Sequence, residues 1–223
     1  MPARPPINEA VRVLGRMPPE EVRWILRAQA GDAEAFRELF ERYRTPVYAT
    51  IERMVGGWYP NDVDDFAQDV FLKVFRALPR FDFARRTKFS TWLYTFVRNY
   101  CFDVMKRHAV RPAVSSLARL PGEEGDRPVL DPAPPPAAAA AREEAGEVVR
   151  RAVQSLPPAL REVVILRQYE GLSFRDIGEI VGSQEGTAKA RYHRARALLR
   201  ERLEPFVREG ALGPSLRDRE AQA

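Results

Sequence analysis

Apolar residues recur at helical spacing along three stretches in the first half of the chain. In residues 34–55, 63–78 and 89–105 they follow steps of three and four, with polar residues on the opposite side. This period predicts amphipathic helices that each pack through one apolar stripe. Gly56-Gly57 ends the first stretch and Pro79 ends the second. The first half therefore predicts a small helical bundle.

The second half continues with shorter helical stretches. Apolar residues at 148–156 and 160–166 keep the helical spacing, and a short stretch from Ser173 to Gly182 precedes a long one over residues 184–203. The Ser173 hydroxyl suits a helix N-cap, and glycine at 182 permits a tight turn. A helix, a short glycine-containing turn and a second helix form the helix-turn-helix pattern.

The two halves are separated by a segment of different composition, residues 112–147. It is rich in proline, and residues 113–148 carry seven acids against three arginines. Such a composition favours an extended, poorly packed linker, although the alanines at 137–141 suit the start of the next helix. We predict an all-α chain with two small helical domains joined by a flexible linker. The predicted divisions are an N-terminal extension (1–18), a helical bundle (19–111), the linker (112–147), a helix-turn-helix domain (148–205) and a tail (206–223).

The composition argues against several classes of protein. The 223 residues include one cysteine, Cys101, and two histidines, so a disulfide framework or a structural zinc site is not expected. No apolar run reaches the roughly 18 residues that span a membrane, and residues 1–7 lack an apolar signal core. We expect a cytoplasmic chain with no cofactor and no direct membrane insertion. Because Cys101 lies on an apolar stripe, we favour a buried core residue over a redox sensor.

The long stretch at 184–203 is the strongest candidate for a nucleic-acid contact. It carries six cations against two acids, within a net charge of +5 for the chain. An isolated arginine-rich helix is more often a solvated face. Here it follows a helix-turn-helix pattern, and a second helix in that position reads the DNA major groove.

Aromatic and basic residues alternate over residues 87–111. Five cations accompany one acid there, among six aromatic side chains. Aromatic faces stack on unpaired bases while cations follow the backbone, so this composition suits single-stranded nucleic acid. Phe89 and Phe96 are better explained as core residues, whereas Trp92 and Tyr94 fit both interpretations.

Four acids stand at 62–69, at the start of the second helical stretch. Acids there interact favourably with the helix dipole, which is the simplest explanation. A metal site or a helical nuclease is an alternative that no neighbouring histidine supports.

Two blocks of the sequence resemble the sigma-70 family of RNA polymerase factors. Residues 64–71 read Asp-Asp-Phe-Ala-Gln-Asp-Val-Phe and residues 89–94 read Phe-Ser-Thr-Trp-Leu-Tyr, similar to region two. Residues 171–173 (Gly-Leu-Ser), 186–189 (Gly-Thr-Ala-Lys) and 193–196 (His-Arg-Ala-Arg) are similar to region four. Their order and the linker between them are typical of the extracytoplasmic-function group.

The resemblance implies a transcription initiation factor and not an enzyme, with a set of roles for each block. Its partners would be core RNA polymerase through the largest subunits, promoter DNA in double- and single-stranded form, and a cognate anti-sigma factor. The residues implied in polymerase binding are Asp64, Asp65, Gln68, Asp69 and Phe71. Those implied at the minus-ten element are Lys88, Trp92, Tyr94, Asn99, Asp103, Lys106 and Arg107. Those implied at the minus-thirty-five element are Thr187, Lys189, Ala190, Arg191, His193, Arg194 and Arg196.

Two points stay open at this stage. The residues at Ser183, Gln184, Ala188, Ala190 and Tyr192 depart from the common family pattern, so the resemblance does not specify the promoter sequence. The main alternative is a helix-turn-helix regulator that does not associate with polymerase. A response-regulator form of it would need alternating strands and helices in the N-terminal half, and the periodicity there is helical.

Overall fold

The computed structural model of the chain describes residues 17–83, 87–110 and 137–208. Within these ranges the regular structure is eight α-helices and one short 3₁₀ turn, with no strand. The helices are α1 (Pro19–Gln29), α2 (Ala33–Val55), α3 (Val63–Ala77), α4 (Phe89–Val110), α5 (Ala137–Gln154), α6 (Pro158–Gln168), α7 (Phe174–Val181) and α8 (Glu185–Arg208). The 3₁₀ turn, Leu78–Arg80, follows α3 directly. The all-α prediction is confirmed. No described helix is long and apolar enough to cross a membrane.

The N-terminal bundle consists of α1 to α4. Asp32 caps α2, because its carboxylate accepts the backbone N–H groups of Glu34 and Ala35 at 3.0 and 3.2 Å. The apolar stripes meet around fully buried Ile25, Ile51 and Leu93. Burial of such side chains is the main stabilising contribution, about 1.5–3 kcal/mol for each.

Helix α5 (Ala137–Gln154) begins within the predicted linker of residues 112–147 and continues past its end. Alanine has the highest intrinsic helix propensity, so the run at 137–141 forms helix as soon as the prolines end. Residues 111–136, most of the predicted linker, lie outside the described residues, as do 1–16, 84–86 and 209–223. At the other end, α8 extends three residues into the predicted tail.

The C-terminal helices pack against the N-terminal bundle. Helix α4 lies against α7, and α2 lies against α5 and α6. The guanidinium of Arg161 on α6 is buried and donates to the backbone carbonyl of Met54 at 2.6 Å. It also donates to the carbonyl of Leu156 at 3.1 Å. Arg161 thus joins the last turn of α2 to α6, a contact between domains that the sequence pattern did not predict.

Candidate nucleic-acid interface

The helix-turn-helix is formed by α7 and α8. Ser173 caps α7, because its hydroxyl accepts the backbone N–H of Asp176 at 3.1 Å. Gly182 ends the helix in the left-handed conformation with φ of 67°, which favours glycine. A Cβ on Gly178 would lie 2.7 Å from the carbonyl oxygen of Ser183, so the turn also needs glycine inside α7. These local features confirm the predicted cap and turn.

The packing of α8 on α7 leaves one basic face open. Ala188, Tyr192 and Ala195 are buried, so the side of α8 that carries them packs against the core. Five of the residues predicted at the minus-thirty-five element are exposed on the opposite face: Thr187, Lys189, Ala190, His193 and Arg194. The remaining two are half-buried, Arg191 at 4.0 Å from the Glu162 carboxylate and Arg196 with its guanidinium 6.0 Å above the Tyr192 ring.

The residues predicted at the minus-ten element lie along α4 and do not share one environment. Four of them are exposed toward its C-terminal half: Asn99, Asp103, Lys106 and Arg107. Trp92 is half-buried, with its ring 5.1 Å from Phe81 and 4.8 Å from Phe96 between ring centroids. Part of the Trp92 side chain is therefore packed against the core, and the rest is accessible to solvent.

Tyr94 and Lys88 are occupied by the C-terminal domain. Tyr94, which fitted both core and DNA interpretations, is buried, and its hydroxyl donates to the Glu170 carboxylate. Burial first, and the Glu170 charge second, raise the pKa of Tyr94 well above its usual range. The Lys88 ammonium lies 2.8 Å from the Asp176 carboxylate. In this arrangement neither side chain is free to contact DNA.

Four of the five residues predicted to contact polymerase are exposed on α3, and the fifth is not. Asp64, Asp65, Gln68 and Asp69 are exposed. The fifth predicted polymerase contact, Phe71, is instead buried, because its ring packs edge-on against the bundle. It lies at the edge of the buried apolar stripe of α3, with Ala67, Val70 and Val74, two helical turns after Asp64.

Two exposed apolar residues on α3 escaped the sequence reasoning. Leu72 and Phe75 each keep 52% of their surface exposed. They continue the exposed row of Asp65 and Gln68 at steps of four and three, so the spacing itself was the missed signal. Large apolar side chains at this exposure, next to a polar row, are typical of a protein contact surface.

The described residues offer no metal site and no reactive thiol. No group of three or more His, Cys, Asp or Glu side chains among them is arranged to hold a metal ion. Cys101 is fully buried, and burial raises the pKa of its thiol to about 12. A neutral thiol inside α4 behaves as a small apolar core residue.

Comparison with known proteins identifies both domains. The family model described as Sigma-70 region 2 matches residues 39–111, which include most of α2 and all of α3 and α4. The model described as Sigma-70, region 4 matches residues 146–199, which include α6, α7 and most of α8.

Curated relatives match along most of their length. The ECF RNA polymerase sigma-E factor of Escherichia coli K12 is 32% identical over 183 residues, 82% of this chain and 93% of its own. The RNA polymerase sigma-H factor of Pseudomonas aeruginosa is 33% identical over 186 residues, with the same coverage.

Solved structures share the fold at lower identity. CnrH in complex with the cytosolic domain of CnrY has a TM-score of 0.60 at 24% identity, covering 83% of this chain and 97% of that chain. The sigma factor RpoE in complex with the anti-sigma factor NepR from Bartonella quintana has a TM-score of 0.52 at 21% identity, covering 75% and 98%.

Proposed function

The chain belongs to the extracytoplasmic-function group of the sigma-70 family, and from this membership we propose how it works as a transcription initiation factor. It binds core RNA polymerase and directs the enzyme to specific promoters. The observation that carries this function is the presence of both sigma-70 regions on one chain, in family order. A helix-turn-helix regulator that acts without polymerase would not need the first of them.

Core polymerase binds the exposed row of α3. Asp65 and Gln68 provide polar contacts, and Leu72 and Phe75 provide about half of their surface as apolar area. Interfaces gain most of their free energy from a few central apolar or aromatic side chains surrounded by polar ones. Leu72 and Phe75 therefore replace Phe71 as the apolar part of the proposed contact, because Phe71 is buried in the bundle.

The minus-thirty-five element is bound by the exposed face of α8. Lys189 and Arg194 place two exposed cations on α8, with Thr187 and His193 beside them. In a helix-turn-helix the second helix enters the major groove with its N-terminal residues at base edges, while cations contact phosphates. The first two turns of α8 contain Thr187, Lys189 and Ala190, so these residues lie where base contacts are made.

The minus-ten element is melted and bound along α4. Lys106 and Arg107 are exposed cations beside Asn99, which has a donor and an acceptor for a base edge. Trp92 and Tyr94 supply rings for stacking on unpaired bases, which stabilises binding by about 1–3 kcal/mol per base. Tyr94 can do so only when the C-terminal domain has moved away from it.

These roles involve binding and DNA opening, so we infer that the chain is not an enzyme. Polymerase and chromosomal DNA place its work in the bacterial cytoplasm. Membership of the group also implies a cognate anti-sigma factor as a partner.

In vitro transcription tests the function. Core polymerase from the source bacterium is mixed with the protein and fragmented genomic DNA, and transcription start sites are mapped. We expect starts at a set of sites that share two upstream elements. Core polymerase that is neither bound nor redirected would favour a helix-turn-helix regulator acting alone.

A further inference from the structure

The last residue of α1, Gln29, extends its side chain to the point where the chain leaves α3. The side-chain amide donates to the backbone carbonyls of Leu78 at 3.1 Å and of Phe81 at 2.7 Å. Leu78 begins the 3₁₀ turn and Phe81 follows its last residue. The two carbonyls are 49 and 52 positions from Gln29 in the sequence, so one side chain connects the start of the bundle to the segment that leads into α4.

The packing of α1 and the turn after it determine where Gln29 lies. Val22 and Ile25 are buried, and they hold α1 against α2 and the 3₁₀ turn. The Arg27 guanidinium pairs with the Asp32 carboxylate at 2.7 Å, across the short connection between α1 and α2. The backbone of Gln29 is therefore fixed beside the 3₁₀ turn, and only its side chain has to extend to the carbonyls.

The two carbonyls lie where a helix leaves such groups without partners of its own. The Leu78 carbonyl also accepts the backbone N–H of Phe81 at 3.0 Å. The backbone of Phe81 is extended, with φ of −64° and ψ of 122°, so its carbonyl has left the helical ladder. Because the Gln29 amide binds both carbonyls, it sets the direction in which the chain continues after the turn.

The residue held in this way, Phe81, packs among the aromatic rings around Trp92. Its buried ring lies 5.1 Å from Phe83, 5.6 Å from Phe89 and 5.1 Å from Trp92 between ring centroids. Trp92 is half-buried and also packs against Phe96 at 4.8 Å. The place of the Phe81 ring therefore limits the orientations that are open to Trp92.

We propose that Gln29 is a positioning residue for the minus-ten strand. Its amide fixes Phe81, and Phe81 holds the Trp92 ring in the orientation that stacks on an unpaired base. A ring that is ordered before the base arrives loses less conformational freedom on binding. Helix α1 then contributes to promoter opening, although it precedes residues 39–111 that match region 2. The contact of Trp92 with DNA rests on the proposed function, whereas the connection from Gln29 to the Trp92 ring does not.

Three variants separate the donor from the rest of the side chain. Gln29→Met keeps a similar length and helix propensity but loses the donor. Gln29→Lys is the conservative variant, because an ammonium can donate to the same carbonyls. Gln168→Met is the matched control, since Gln168 is the last residue of α6 and is exposed.

The first measurement is fluorine NMR of the full chain labelled with fluorotryptophan, which gives a signal for each of the three tryptophans. Replacing each tryptophan by phenylalanine in turn assigns the signals. We expect Gln29→Met to shift the Trp92 signal and to leave that of Trp58, whose ring stacks on His108, unchanged. Gln29→Lys should restore the Trp92 signal, and Gln168→Met should not move it. A residue that only added stability would leave the signals of the folded chain in place.

The second measurement is DNA binding by holoenzyme assembled from the full chain and core polymerase. The probe is a fluorescently labelled single strand that spans the minus-ten element of a promoter mapped in the transcription experiment. Gln29→Met should lower the affinity about tenfold, the loss expected when one base no longer stacks well. The slope of log affinity against log salt should not change, because no phosphate contact is lost. Gln29→Lys should recover most of the affinity, and all variants should bind core polymerase like the parent.

A Trp92 signal that Gln29→Met leaves unchanged would overturn the connection. A shifted signal with the DNA affinity of the parent would overturn the role in minus-ten binding. If Gln29→Met does not fold, Gln29→Asn, which is one methylene shorter, must show both changes at smaller size, and their absence overturns the proposal. A parent protein that directs polymerase to no promoter would refute the proposed function, and the Trp92 signal would still decide whether Gln29 holds the ring.

Discussion

The hydroxyl of Tyr100 on α4 donates to the carboxylate of Asp69 on α3 at 2.7 Å. Asp69 belongs to the proposed polymerase face, so this bond ties that face to the helix proposed to bind DNA. Burial first, and Asp69 second, raise the pKa of Tyr100 from 10.0 to about 12. The Lys73 ammonium lies 4.7 Å above the same ring.

Tyr100→Phe removes this bond and keeps the ring. We expect the free energy of unfolding to fall by about 1 kcal/mol, the usual net value of a hydrogen bond. Because the folded pKa is raised, the contribution is complete below pH 10.0 and is lost as pH rises toward about 12. Urea unfolding of both proteins between these pH values measures the difference. A gap that does not narrow with rising pH would contradict the assignment.

Lys189→Ala and Arg194→Ala remove cations from the open face of α8. Each should weaken binding to a duplex promoter fragment and reduce the slope of log affinity against log salt by about 1. Fluorescence anisotropy over a salt series measures both. Arg208→Ala is the control, because Arg208 lies at the far end of the same helix, paired with Glu204 at 2.5 Å. Equal salt slopes in all three variants would refute the assignment of this face to DNA.

The exposed row of α3 should bind polymerase through both of its parts. Replacing Asp65 and Gln68 by alanine, or Leu72 and Phe75 by serine, should weaken binding to core polymerase roughly tenfold or more, since truncated central contacts typically cost over 1 kcal/mol. Biolayer interferometry with immobilised core measures the affinity. The control is Phe206→Ser, because Phe206 is an exposed large apolar side chain on α8. If the control weakens binding as much as the α3 variants, the loss is not specific to α3.

Asp176→Asn tests the ion pair with Lys88 through its pH dependence. Burial of Asp176 acts to raise its pKa, but the Lys88 ammonium and the Ser173 hydroxyl outweigh it and hold the pKa below 3.8. The stabilisation is therefore complete above pH 3.8 and is lost as pH falls through the lowered value. We expect the variant to be less stable by about 1–3 kcal/mol at neutral pH. Chemical denaturation of both proteins should show this gap closing in acid, and a constant gap would contradict the pairing.

The sequence pattern predicted the structure correctly wherever interactions between residues close together in the sequence decide it. The stripes at 34–55 and 63–78 became α2 and α3 because helical period and chain-breaking residues act within a few positions. The cap at Ser173 and the turn at Gly182 were equally readable, since each depends on one side chain or one backbone conformation.

The sequence pattern did not predict the exposure of individual side chains as reliably. Phe71 and Phe75 lie four residues apart on α3, yet the first is buried and the second is half exposed. Helix periodicity shows that a stripe exists but leaves its edges uncertain by one or two residues. Neighbouring helices decide those edges, because a side chain is buried only where another helix covers it.

The chain's own residues determined an all-α architecture, the order of its two domains and the basic composition of the helix proposed to contact DNA. Only the tertiary structure decided that Glu162, Glu170 and Asp176 meet Arg98, Tyr94 and Lys88, partners 64 to 88 positions away in the sequence. Single acids and single donors carry no period that marks them as partners. Their pairing follows from how two preformed domains pack, so it emerges when apolar surfaces of α2 and α4 are buried against α6 and α7.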